Sequence, residues 1–184
     1  MNYVEPIRDF DDVCAIEKEL RKRSERNYIM FIIGIYSGLR ISDILKLRVR
    51  DVKGKEQIVI REKKTRKQKR FPIHPILKKE LKKYCLDKDL DEFLIKSRKG
   101  YNKPISRIRA YTIIREVGEE LGIYDLGTHT LRKTFGYHYH MQYNDITELQ
   151  EIFNHSDPAV TLRYIGVEKS RIDKRMKNLK IHRK

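Results

Sequence analysis

Apolar residues recur at helical spacing from the start of the chain, first as Phe10, Val13, Ile16 and Leu20, then as Ile29, Phe31, Ile32 and Ile35. The spacing predicts two helices over about residues 9–23 and 26–37. Ser37-Gly38 ends the second. Ser42 is placed to cap a third helix whose apolar face is Ile44, Leu45 and Leu47, so Arg40 falls in the connection. From Glu56 the period changes to alternation, with Ile58 and Ile60, then Phe71 and Ile73 after a basic run, which predicts a β-hairpin with a charged tip. Pro75 opens a helix to about Leu86, and Phe93-Leu94-Ile95 suits a short third strand before a turn at Gly100. Helical patterns return over about residues 106–121, 130–141, 145–153 and 170–179. No repeat or Gly/Ser linker divides them. The fold class expected is α+β, mainly helical with one small antiparallel sheet, in a single domain over 1–184.

Composition narrows the partner. The chain holds 42 Lys plus Arg against 26 Asp plus Glu, a formal net charge of +16, and repulsion of that size calls for a polyanion such as nucleic acid. The longest apolar run, Ile29 to Tyr36, is far short of the roughly 18 residues of a spanning helix, so no membrane partner is expected. The opening MNYVEPIRDFDD lacks the basic start and apolar centre of a secretory signal. Cys14 and Cys85 form no CxxC pair and fit a reducing, cytoplasmic setting, both read as small buried apolar residues.

Four segments hold side chains that could act together. In GLRISDILKL, Arg40 follows a glycine turn, where its planar fork of donors can meet a phosphate or simply lie on the surface. REKKTRKQKR, residues 61–70, has seven basic residues and one acidic one. It reads either as a solvated charge run or, since a β-ribbon can enter a DNA groove, as a DNA contact through Lys63, Arg66, Lys67, Lys69 and Arg70. In THTLRKTFGYH, His129 and Arg132 are three apart at a helix start and share a side that could bind an anion, while Leu131 and Phe135 face the core. A capped helix with an exposed arginine is the plain alternative. In LQEIFNHSDPAVTLRYI, Tyr164 comes nine residues after His155, but it is one of eleven tyrosines and no single-residue argument selects it. His138 and His140, two apart on a helix, point to different sides and have no carboxylates nearby, so a metal site is not expected. His74, ahead of Pro75, reads as structural.

Together and in this order, the segments resemble the active-site boxes of the tyrosine recombinase, or phage integrase, family, over essentially the whole chain. The match consists of Gly38-Leu39-Arg40-Ile41-Ser42-Asp43 for G-L-R-x-S-[ED], Lys64-Thr65 ahead of Pro72 for the hairpin lysine, His129-Thr130-Leu131-Arg132 for H-x-L-R, and Phe153-Asn154-His155-Ser156 with Tyr164 for the last box. Asn154 stands where the family has glycine, and asparagine tolerates the left-handed backbone such a turn needs. Lys63 and Lys67 rival Lys64 in the alignment.

The resemblance implies the tyrosine recombinase catalytic fold. It also implies a reaction without ATP, metal or other cofactor, in which Tyr164 forms a 3′-phosphotyrosyl link to double-stranded DNA that a second 5′-hydroxyl can reverse. Arg40 and Arg132 would bind the phosphoryl oxygens, His155 would hydrogen-bond them, Lys64 would protonate the leaving 5′-oxygen, His129 would assist proton transfer, and Asp43 would support. The residue types make sense, because a phenol with a free pKa near 10 needs positive neighbours or a base to become a nucleophile. The family's usual N-terminal core-binding domain has no counterpart here, so a fragment or a shortened relative is expected. The tail GVEKSRIDKRMKNLKIHRK, with Ile172, Met176 and Leu179 at helical spacing, could dock on a neighbouring protomer in a tetrameric synapse or pack on its own domain. The rival functions are a DNA-binding module of the same fold that no longer cuts, and a type IB topoisomerase that relaxes DNA.

Overall fold

The computed structural model describes residues 4–61, 68–167, 172 and 175–179. In chain order the elements are α1 (Phe10–Arg23), α2 (Glu25–Ser37), α3 (Ile41–Ile44), a 3-10 turn (Val49–Asp51), β1 (Gln57–Arg61), β2 (Gln68–Pro72), α4 (Pro75–Tyr84), α5 (Arg107–Glu120), α6 (Thr128–Tyr143), α7 (Ile146–Phe153) and α8 (Pro158–Tyr164). The α+β expectation holds. Strands β1 and β2 pair antiparallel from Gln57↔Pro72 to Arg61↔Gln68, and Ile58 meets Phe71 on the buried face.

Most boundaries follow from local chemistry. Asp9 accepts from the Asp11 amide at the start of α1, whose last turn carries Arg21, Lys22 and Arg23 against the negative end of the helix dipole. Ser106, Asp145 and Asp157 likewise accept from backbone N–H groups at the starts of α5, α7 and α8. His74 is structural, as expected: it caps α4 ahead of Pro75 and stacks on Tyr36 with ring centres 4.6 Å apart. Helix α2 is apolar all round, buried from Asn27 to Gly34, and packs against α1, α4 and α6 as the centre of the larger core.

The structure corrects several expectations. The third helix begins at Ile41, not after Ser42, because the Arg40 carbonyl already accepts from the amides of Asp43 and Ile44. Leu45 and Leu47 lie beyond its end but are still buried. Phe93–Ile95 is not a strand: Phe93 makes a single bridge to Arg48, and its N–H is taken by the Asn102 side chain, so no ladder extends. Cys85 is buried, but Cys14 is exposed, since it lies on the opposite side of α1 from Ile16 and Leu20. Phe10, at the first turn of α1, is exposed too. Of the C-terminal segment expected as a helix over 170–179, residues 170, 171, 173 and 174 lie outside the described residues, and Ile172, Met176 and Leu179 face solvent. Among the described residues no helix is long and apolar enough to cross a membrane.

A second, smaller core holds α7 and α8 to α6 through Leu149, Phe153, Ile165 and Val167. Gly136 is what permits that approach, since a Cβ there would sit 2.6 Å from Ile165 Cγ2 and 2.8 Å from Phe153 Cε2 and Cζ. Gly136→Ala is therefore expected to cost about 1–3 kcal/mol through overpacking of two fully buried side chains. Urea denaturation checks this: unchanged stability would mean that α7 and α8 shift freely.

Candidate active site

Chain geometry aims the candidate residues at the seam between the two cores. Gly38 ends α2 at φ 63°, and a Cβ at this position would lie 2.5 Å from Phe135 Cδ1 of α6. That close turn sets Arg40 at the N-terminal boundary of α3, where it is exposed. Arg132, one turn into α6, is only 4% exposed. Its Nη1 donates to the Gly38 carbonyl, its Nη2 to the Phe153 carbonyl at 2.9 Å, and its guanidinium lies 4.1 Å over the Phe153 ring. One side chain thus joins the end of α2 to the end of α7, and the plain reading of an exposed arginine is wrong. Five N–H groups are available to a guanidinium, so the two carbonyls do not exhaust it.

Arg40, Arg132, Asp43, Lys69, Arg107 and Asn154 share the wall of a cavity of about 350 Å³. Arg132 is held down to a pKa of about 10, by burial first and then by the charge of Arg40. Two guanidinium groups facing one cavity at that cost suit an anionic occupant. Asp43 forms a 3.7 Å ion pair with Lys46 and adds a favourable charge for Arg132. Asn154 is left-handed at φ 53°, which is the turn expected at that position.

Tyr164 is the last residue of α8 and half-buried. Its ring is edge-on to His155 and Phe153, with centres 5.2 and 5.6 Å away. His129 brings Nδ1 to 3.4 Å from the Tyr164 hydroxyl, and His155 is oriented by a 3.0 Å contact between its Nδ1 and Oγ1 of the buried Thr161. Burial pushes the Tyr164 phenol above its usual range, against the charges of Arg132 and Arg40 and a hydrogen bond from Arg132. The phenol therefore stays protonated at neutral pH and needs a base. Both histidines can serve as neutral acceptors: burial lowers each, followed by Lys133, Arg132 and Arg40 for His129 and by Arg132 and Arg40 for His155.

The structure brings Arg40, His129, Arg132, His155 and Tyr164 together. Lys63, Lys64, Arg66 and Lys67 lie outside the described residues. Arg70 is exposed on β2, while Lys69 turns its ammonium to the Glu151 and Ile152 carbonyls at the end of α7, tying the hairpin to that helix. His138 donates through Nε2 to the Ile7 carbonyl at 2.9 Å. Sequence reasoning missed Thr161 and Arg107, of which Thr161, one helical turn before Tyr164, left a trace in the spacing; Phe153 was matched in the last box, but not as the ring under Arg132.

This fold is that of tyrosine recombinase catalytic domains. It matches a crystal structure of XerA recombinase with a TM-score of 0.74 at 22% identity, covering 97% of this chain and 67% of that one. A crystal structure of XerH site-specific recombinase bound to difH substrate, a pre-cleavage complex, matches with a TM-score of 0.71 at 17% identity, covering 92% and 53%. The chain belongs to the phage integrase family, whose profile matches residues 8–171. The probable integrase/recombinase YoeC of Bacillus subtilis (strain 168) is 46% identical over 168 residues, covering 91% of this chain and 92% of that protein. By contrast, the chain spans about half the length of the curated XerA and XerC relatives it matches.

Proposed function

We propose that this chain is the catalytic domain of a site-specific recombinase that cuts and rejoins double-stranded DNA through a covalent 3′-phosphotyrosyl link to Tyr164. The observation that carries the reading is the Tyr164 hydroxyl 3.4 Å from His129 Nδ1, with Arg132 and Arg40 supplying positive charge to it. His129 takes the phenol proton. The oxygen attacks the phosphodiester, and the free donors of Arg132 with the exposed fork of Arg40 bind the charge that develops on the phosphoryl oxygens. His155, steadied by Thr161, donates to the same group. By its place in the family's boxes, Lys64 protonates the departing 5′-oxygen, and a second 5′-hydroxyl reverses the sequence to complete strand exchange. The Tn1549 transposon integrase, a structural neighbour, is seen in complex with circular intermediate DNA, which supports DNA as the partner here. Asp43 supports the arginines, Arg70 extends the basic surface along the hairpin, and Lys69 holds the hairpin to the end of α7 beside the cavity. Protomers of this chain assemble as a tetramer on DNA in the cytoplasm.

A nicked suicide substrate, from which the cleaved end diffuses away, tests the reading. Denaturing electrophoresis is expected to show a protein–DNA adduct on a cognate site; a protein that binds this site and never forms the adduct is a non-cutting module instead. Arg40→Ala is expected to slow adduct formation about a hundred- to a thousand-fold. Stability should change by no more than about 0.5 kcal/mol, because the side chain is exposed. Single-turnover cleavage and urea denaturation measure the two effects separately.

A further inference from the structure

Lys133 lies one helical turn beyond His129 on α6, and it is buried, which is unusual for lysine. Its Nζ donates to the Val4 carbonyl at 2.7 Å and stands 5.4 Å from the centre of the Tyr164 ring. Val4 is part of a strap, residues 4–8, that is fixed at several points. The Ile7 N–H donates to Thr134 Oγ1 at 2.9 Å, His138 holds the Ile7 carbonyl, and Arg8 reaches the Gly166 carbonyl just after the nucleophile.

The groups facing His129 are Lys133 and Arg132 from α6, Arg40 from the α2–α3 turn, Tyr164 from α8, and Arg107 and Tyr111 from α5. None of the described residues lining the small cavity beside the ring is acidic. A phosphodiester entering this site brings negative charge that favours the imidazolium, the form that cannot accept a proton. In the proposed reaction Arg40 and Arg132 are engaged by that same phosphate. Lys133, tied to the strap, is not.

We propose that Lys133 is a positioning residue for the nucleophile: fixed by the Val4 carbonyl, one helical turn from His129 and over the Tyr164 ring, its buried ammonium opposes a second proton on the imidazole that takes the Tyr164 proton. The inference rests on Tyr164 as the attacking group. In that step the phenol O–H bond breaks and its proton passes to Nδ1. The oxygen forms the bond to phosphorus, and the 5′-oxygen leaves with the electron pair of the broken P–O bond and collects a proton from Lys64. Lys133 is second only to burial among the influences that lower His129, and it is not among those that lower His155, so the two imidazoles can be told apart.

The test is an NMR titration of both imidazole rings in the full chain without DNA, in wild type, Lys133→Gln and Lys133→Arg. Glutamine removes the charge but can still donate to Val4; Lys133→Met is a second neutral variant should glutamine not fold. The expected result is an upward shift of the His129 midpoint in the neutral variant, an unmoved His155 midpoint, and both midpoints preserved in Lys133→Arg. On a suicide substrate the acid limb of the cleavage profile should move to higher pH in Lys133→Gln, with the alkaline plateau kept. A His129 midpoint that stays in place, a joint shift of both histidines, or an equal shift in Lys133→Arg overturns the proposal. Because no DNA enters the titration, its outcome does not depend on whether Tyr164 cuts.

Discussion

Tyr164→Phe is expected to bind DNA as wild type does and to form no covalent adduct. The phenyl ring keeps the edge contacts with Phe153 and His155 and stays under the Lys133 ammonium, so α8 has no reason to move. What disappears is the one oxygen that His129 Nδ1 approaches. The half-buried hydroxyl contributes about 1 kcal/mol of stability at most. The covalent route, by contrast, is removed altogether, so cleavage should fall to the detection limit. A suicide-substrate gel together with a DNA mobility shift separates these two results. A surviving adduct in the variant would mean that another of the eleven tyrosines attacks.

Arg132→Ala has the second largest expected effect, because it damages both stability and chemistry. Without the guanidinium, the carbonyls of Gly38 and Phe153 lose their buried donors, and the Phe153 ring loses its stacked partner. Leaving such groups unsatisfied should cost about 2–4 kcal/mol. Cleavage should fall by a further hundred- to thousand-fold on protein that remains folded, through loss of a donor to the phosphoryl group. Arg132→Lys separates the two roles. It keeps the charge but cannot reach two carbonyls as a planar fork, so it should recover part of the stability and little of the rate. Urea denaturation with single-turnover cleavage measures both. Full stability in Arg132→Ala would refute the bridging role, and wild-type cleavage in Arg132→Lys would refute the need for a fork.

Legibility varied with the range of the interaction. The helix starts marked by Asp9, Ser106 and Asp145 could be expected because an N-cap acts within three residues. The third helix could not be placed as well, because its start was decided by which amides the Arg40 carbonyl accepts. Phe93–Ile95 had the composition of a strand but found no ladder partner, and pairing is a property of the fold. Periodicity on α1 located Ile16 and Leu20 in the core; Cys14, small enough for either side, took the other face.

The candidate site divides along the same line. Residue types and spacing, through their resemblance to the family's boxes, pointed to which tyrosine, histidines and arginines belong together, and to the left-handed turn at Asn154. They determined the positive charge that calls for a polyanion as well. Only the tertiary structure decided that Arg132 is a buried bridge between two cores while Arg40 stands exposed, that Thr161 orients His155, and that Lys133 lies over the ring of Tyr164. The physical reason is that residue type fixes what a group can donate, accept or carry as charge. Which donors are already spent, and how strongly each charge is felt, depends on burial and on neighbours more than a hundred residues away, such as Val4 for Lys133.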